Sequence, residues 1–509
     1  MSKNRYIPVA LGGLIAFVLT CNAFAHGEGE PLRWHWPNLF GGMTEHFEFK
    51  PACGVRVRGC VQGTYLRRGC DLVGLSVEVE NPPAGEPVRL VAPRREVAKL
   101  VSELPAGWRA ICRGKETEIV IPADRPRRAY PDEAILPRPK DVPELMIAED
   151  GRRISTREEW ETIRRPEILG YFREQVYGKR PCERPQHLEF EQLGNDRVMM
   201  DGAAIRKIVR VTYGGAHGTN SFPFTVFIPT KRKGPAPSFV LICNRDRSNI
   251  DPERKVRSEF WPAERIVARG FAAIAFYNGD VTPDYVHGNT VGAFTCFGDV
   301  TREYRPNDEW GQLSCWGWAA SRVLDWIETE PTLDAKRVAV VGHSRGGKTA
   351  LWAAAEDRRF AMACVNDSGC CGMKLHHIDL PASEAIVHTI CGRQDWYCLN
   401  FTRHANLERE MPYDAHCVAA LIAPRKLCVA SASEDTEAGP LGEFWSAYLA
   451  SPAWELYGKR GLVSPPRFPA IESPLHEGSV GYHIRRGEHN LKLYDWERYM
   501  DFAEAEDLK

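Results

Sequence analysis

Apolar and polar positions alternate through the first quarter of the chain. Leu75-Ser76-Val77-Glu78-Val79-Glu80 alternates cleanly, and Val55-Arg56-Val57-Arg58 does so more briefly. Val88-Arg89-Leu90-Val91 and Glu118-Ile119-Val120-Ile121 add two more short runs. A period of two puts one face of a strand in a core and the other in water. With Gly and Pro between the runs, residues 26–122 predict a small all-β, sandwich-like domain. The pattern stops in a stretch with six prolines between Pro122 and Pro143. Proline lacks the N–H that helices and central strands need, so residues 123–145 predict an extended linker. From 146 to 509 the pattern changes again. Ile208–Tyr213 and Phe224–Ile228 predict an antiparallel pair, while Phe239–Ile242 and Ala272–Phe276 are unbroken apolar runs. Such runs suit parallel strands covered on both faces. A helix is predicted near Trp310–Glu328, with Leu313, Gly317, Ala320, Leu324 and Ile327 on one face. Lys426–Ser431 predicts a late strand and Tyr494–Ala503 a closing helix. Strands alternating with helices predict an α/β domain with a doubly wound, mostly parallel sheet.

The bulk numbers exclude more than they assign. The 509 residues allow two or more domains, and 43% hydrophobic with 26% charged residues is ordinary for globular proteins. A formal net charge of −1 gives no electrostatic footprint for nucleic acid or a membrane surface. Residues 1–25 read separately: Lys3 and Arg5, an apolar run from Ile7 to Thr20, then Ala23-Phe24-Ala25. That is the layout of a cleaved secretory signal, which predicts a secreted or periplasmic protein without a membrane anchor. Its removal takes Lys3 and Arg5 away and the formal charge from −1 to −3. It also removes Cys21 and leaves 15 cysteines, an odd number that cannot all pair internally.

The chemistry concentrates at Val338–Lys348. A β-branched run enters Gly342-His343-Ser344-Arg345-Gly346, and Thr349–Ala355 leaves it as a helix former. That is the nucleophile elbow of an α/β-hydrolase: a turn so tight that small residues must flank the serine, followed by a helix whose N-terminal N–H groups face a developing oxyanion. A serine hydroxyl needs an imidazole to take its proton and a carboxylate to orient that imidazole, in the chain order Ser, acid, His. His489 stands in a loop after the strand Gly481–Ile484 and before the closing helix; His483 and His476 are placed less well. Two acids qualify: Asp435, after the late strand, and Asp367, after the strand that follows the elbow helix. Arg345 and Lys348 bring two cations to the serine's side, and Lys348 is expected to overlook the cleft, unshielded beside Gly346-Gly347. No His-Glu-x-x-His or Cys-x-x-Cys spacing occurs, so the remaining histidines read as structural.

These motifs resemble those of the bacterial glucuronoyl esterases, carbohydrate esterase family fifteen. The resemblance rests on Gly342–Trp352, Asn366-Asp367-Ser368-Gly369-Cys370, Leu421–Arg425, Gly481–Arg485 with Gly487-Glu488-His489, Tyr494–Tyr499 and Gly279–Asp284. It runs from about Pro143 to the C-terminus and leaves the β domain outside. It implies a serine esterase that cleaves the ester between 4-O-methyl-glucuronate on glucuronoxylan and lignin alcohols, with no metal or organic cofactor. By the resemblance Ser344 is the nucleophile, His489 the general base and Arg345 an oxyanion partner. Lys348 and Glu384 would contact the sugar, and Trp396 would stand beside the cleft. Two positions depart from the pattern. Asp367 replaces the usual Glu, which favours Asp435 as the working acid. Glu437 replaces a Trp that stacks on the sugar. Cys370-Cys371 and His376-His377 also differ from the family's small and basic residues. Glu437 keeps a second activity open, an acetyl xylan esterase or general carboxylesterase. A non-catalytic polysaccharide-binding protein, with Trp34, Trp36 and Phe40 stacking on sugar, is the reading of another class.

Overall fold

The computed structural model describes residues 139, 141–285, 288–300, 306–378, 380, 383–404 and 408–505, with the backbones of seven strands between residues 32 and 121. The leader at 1–25 and most of the proline-rich stretch lie outside the described residues. The chain divides into two compact units that part at Pro126–Arg127.

The strands of the first unit are β1 (Leu32–Arg33), β2 (Thr44–Phe49), β3 (Arg56–Leu66), β4 (Gly69–Glu80), β5 (Val88–Pro93), β6 (Arg109–Arg113) and β7 (Glu116–Ile121). They form two sheets, β1-β5-β7-β6 and β2-β3-β4. The alternating segments pair with one another: Val57 lies opposite Val79 and Arg58 opposite Glu78. The faces that would make a sandwich carry side chains outside the described residues.

The second unit is built on one ten-stranded sheet. Its strands are β8 (His187–Gln192), β9 (Arg197–Met199), β10 (Ala204–Gly215), β11 (Gly218–Pro229), β12 (Ala236–Cys243), β13 (Ala272–Tyr277), β14 (Leu333–His343), β15 (Met362–Asn366), β16 (Lys426–Ala432) and β17 (Val480–Arg485). The order is β17-β16-β15-β14-β12-β13-β11-β10-β8, with β9 on β10. The strands from β12 to β17 all pair in parallel. β8 to β11 add an antiparallel edge, opened by the hairpin of β10 and β11. This mixed, mostly parallel sheet is the α/β-hydrolase architecture. Val240, Leu241 and Ile242 on β12 and Ala273, Ile274 and Phe276 on β13 are fully buried, as their unbroken apolar runs require.

Three helices frame the chemistry: α1 (Gln312–Ile327), α2 (Arg345–Glu356) and α3 (Leu493–Glu504). The single apolar face expected for α1 is too narrow, because all sixteen of its residues are buried. Gly317 lets α1 approach Ala353 of α2, where an added Cβ would sit 3.3 Å from the alanine Cβ. The ring of Trp318 packs edge-on against Tyr213, Phe297 and Trp310. Aromatic side chains thus cover a face that a purely periodic reading assigns to solvent. Among the described residues no helix is long and apolar enough to cross a membrane.

Candidate active site

The elbow is a strained turn between β14 and α2. Ser344 sits at φ 58° and ψ −127°, a region that L-residues avoid unless the surroundings impose it. Close packing imposes it here. A Cβ on Gly342 would lie 1.9 Å from the Gly346 carbonyl oxygen, so no side chain fits there. At Gly346 the limit is softer, with the nearest atoms 3.2 Å away on Asn244 and Ile242. The Ser344 N–H donates to the Asn366 carbonyl at 2.9 Å, which pins the turn to the end of β15. The first N–H groups of α2 therefore stand beside the serine, where negative charge would develop.

His489 reaches this turn from the loop between β17 and α3. Its ring lies 4.4 Å, centroid to centroid, from that of His343, the residue before the serine. Its Nδ1 is 2.5 Å from Asp435 Oδ2, and the aspartate is 7% exposed. Asp435 Oδ1 also accepts the Ala438 N–H at 3.2 Å, so its carboxylate is fixed in direction. The two residues are 54 positions apart in the chain, and the parallel pairing of β16 with β17 brings their loops together.

Asp367 stands behind this pair rather than on it. It lies 3.5 Å from the guanidinium Nη2 of Arg485 and 3.7 Å from the ring Nδ1 of His343. Asp367, Asp435 and His489 nevertheless present nitrogen and oxygen atoms that all lie within 4.8 Å of one another. Neither Asp367 oxygen has a hydrogen-bond partner among the described residues. Burial, and then the Asp435 charge, push its carboxyl well above the usual carboxylate range. One of two neighbouring carboxyls is thus held toward its neutral form. His343 is held neutral by burial first, then by the neighbouring His489 and Arg245. Its Nε2 faces Arg245 Nη2 at 2.8 Å and its Nδ1 faces Asn366 Oδ1 at 2.6 Å, which assigns the proton to Nδ1.

The two cations occupy different surroundings. Arg345 pairs with Asp284, donates to the Asn244 carbonyl at 2.8 Å, and lies 5.9 Å from the centre of the Trp396 ring. Trp396 donates its Nε1–H to Asp284 Oδ1 at 2.9 Å, so ring, carboxylate and guanidinium form one wall. The expectation for Lys348 needs correction, because the residue is 3% exposed rather than open. Gly347 allows the loop after β15 to close over it: a Cβ there would be 2.8 Å from the Asn366 carbonyl. The Lys348 ammonium donates to the Ser368 carbonyl at 2.6 Å and lies 3.6 Å from Glu384 Oε2, leaving Glu384 as the more accessible of the two. Glu437 is exposed, and its backbone carbonyl accepts the Glu384 N–H at 2.8 Å.

Four supporting residues escaped the sequence reading. Asn366, Arg245 and Asp284 act through the contacts just given. Glu443 is fully buried and accepts from Ser368 Oγ, the Gly369 N–H and Ser431 Oγ at 2.8, 2.9 and 2.6 Å. Asp284 and Asn366 lay inside motifs already singled out. Glu443 lies in an apolar helical stretch, where a lone buried glutamate was the available signal.

A profile of fungal glucuronyl esterases matches residues 209–458. A carbohydrate esterase designated MZ0003, from an unknown prokaryotic organism, is 30% identical over 408 residues, covering 75% of this chain and 92% of its own. The 4-O-methyl-glucuronoyl methylesterase of Schizophyllum commune is 28% identical over 303 residues, covering 56% of this chain and 66% of its own. The solved glucuronoyl esterase of Solibacter usitatus superposes with a TM-score of 0.66 at 32% identity, over 71% of this chain and 97% of its own.

Proposed function

Since the chain belongs to the glucuronoyl esterase family and is a carboxylic ester hydrolase, we propose that it hydrolyses the ester joining 4-O-methyl-glucuronate of glucuronoxylan to lignin alcohols. The observation that carries the reading is the 2.5 Å pairing of His489 with Asp435 beside the strained Ser344 elbow. In the proposed course, Ser344 Oγ attacks the C6 carbonyl while His489 takes its proton. The N–H groups opening α2 and the guanidinium of Arg345 stabilise the oxyanion. The imidazolium, steadied by Asp435, hands its proton to the departing alcohol. Water, activated by the same histidine, then releases the glucuronate. Glu384 contacts the sugar hydroxyls, Lys348 steadies its carboxylate from beneath, and Trp396 lines the cleft beside Arg345. The leader at 1–25 supports export, and the two N-terminal sheets suit an accessory module outside the catalytic unit.

Glu437 favours a second reading, a broader carboxylesterase or acetyl xylan esterase. It offers no stacking face where the family commonly has tryptophan. Charge speaks less strongly against the uronate, because C6 is neutral in the ester and becomes anionic only in the released acid. Hydrolysis of benzyl glucuronate compared with acetylated xylan separates the two activities. The glucuronate ester should be turned over, and Ser344→Ala should abolish that turnover with the fold retained. Release of acetate alone would sink the uronate reading, and retained turnover in Ser344→Ala would sink the site.

A further inference from the structure

The loop that follows β15 carries a second cluster, which the esterase chemistry does not use. Cys370 and Cys371 are adjacent and buried, with their Sγ atoms 3.5 Å apart. His376 completes a group whose sulfur and nitrogen atoms all lie within 4.8 Å of one another. His376 Nδ1 has no hydrogen-bond partner among the described residues. Beside the group lies a small cavity that leaves about 10 Å³ for the centre of a water molecule. Cys371, His376, Tyr177, Phe401 and Asp414 are among the residues that line it. We infer that Cys370, Cys371 and His376 form a binding site for a thiophilic divalent cation of the zinc class, with a cavity water as fourth ligand.

The spacing of the ligand atoms suits such an ion. Zinc bonds of about 2.3 Å to sulfur and 2.0–2.1 Å to nitrogen, set tetrahedrally, put neighbouring ligand atoms about 3.5–3.8 Å apart. The two sulfurs already stand near that separation, so small side-chain rotations close the set. Direction is supplied from behind. Asp414 accepts the backbone N–H of His376 with both oxygens, at 2.9 and 3.0 Å, and also binds His377 Nδ1 at 2.8 Å. The backbone at His376 is thereby held in place while Asp414 is fully engaged, which leaves water as the remaining ligand.

The one other Cys/His cluster among the described residues, Cys428, His476 and His483, offers a single sulfur, 4.0 Å from His476 Nε2. The spacing Cys-Cys-x4-His also explains why a search for paired Cys-x-x-Cys motifs passes over the site. A cation there would clamp the same loop that supplies the Ser368 contact with Lys348.

The test uses the full-length protein, reduced with a phosphine and freed of metal by dialysis. Cd²⁺ is titrated while thiolate-to-cadmium charge-transfer absorption is recorded, and Zn²⁺ is then added as competitor. The expected result is one saturable equivalent of Cd²⁺, displaced by Zn²⁺. The signal should be lost in the Cys370→Ser/Cys371→Ser variant, weakened at least tenfold in His376→Gln, and retained in Cys428→Ser. Should the double variant not fold, Cys371→Ala carries the same test. Undiminished signal in that variant, no saturable cadmium binding in the wild type, or mass spectrometry of the protein before reduction showing Cys370 joined to Cys371 would each overturn the inference.

Discussion

Replacing Asp435 by Asn tests the order of the two carboxyls. The change keeps the size of the side chain and removes the negative charge 2.5 Å from His489 Nδ1. At an effective dielectric of about 20, the attraction between that carboxylate and an imidazolium is about 6 kcal/mol. The His489 side chain is 38% exposed, so water screening and a charge taken up in part by Asp367 together reduce the lost attraction to about 3–4 kcal/mol. At 1.36 kcal/mol per tenfold, kcat should fall by about 10²–10³. A serine-protease triad loses about 10⁴ on the equivalent change. The smaller loss expected here comes from Asp367. Its carboxyl is held toward neutrality by burial and by Asp435. Once Asp435 is neutral, Asp367 ionises more readily, and its reach to the same pair of groups supplies part of the missing charge. Asp367→Asn alone should therefore cost little, while the double variant should lose at least 10⁴, more than the sum of the single effects. The assay is kcat on a benzyl glucuronate ester for all four proteins across pH, with melting temperature as a folding control. Equal rates for Asp435→Asn and the double variant would refute the reserve role of Asp367. A rate unchanged in Asp435→Asn would refute the orienting role of Asp435.

Other outcomes follow from single observations. Ser344→Gly should be inactive yet more stable by about 1–3 kcal/mol, since glycine tolerates φ 58°; an unchanged or lower melting temperature contradicts the strain. Gly342→Ala should abolish soluble active enzyme, whereas Gly346→Ala should only weaken it, because the added Cβ would meet its nearest neighbour at 1.9 Å in the first and 3.2 Å in the second; equal soluble yields would show that the elbow relaxes. His404 and His416 are held down to about 4, and His476 to about 3, in each case by burial first. The unfolded chain then binds more protons than the folded one between pH 6.5 and about 3–4, so stability falls with acid across that window. Urea midpoints measured from pH 7 to 4 should show this slope, and it should flatten in His476→Gln. Glu161 extends the same acid loss to lower pH: Arg358 first, with Tyr457, holds it at about 2 against burial, so its contribution is present above about pH 4.5 and lost toward 2. Arg358→Ala should lower the melting temperature at pH 6 more than at pH 3.

Much of the site was legible in the chain order alone. A β-branched run, a small-residue turn and a helix former specify the elbow locally, because strand, turn and helix are each set by their own residues. The late histidine before a closing helix follows from the fixed strand order of the fold. The rest depended on distance through space. Both Asp435 and Asp367 end parallel strands, and only the register of β15, β16 and β17 makes one a hydrogen-bond partner of His489 and the other a buried neighbour. Lys348 reads as exposed on its helix, but close packing at Gly347 encloses it. The helix α1 reads as amphipathic, but aromatic rings from distant segments cover its outer face. Local patterns determine which elements form and which groups can react. Packing decides which of those groups meet, and in what dielectric, because burial and neighbouring charge belong to the folded chain as a whole.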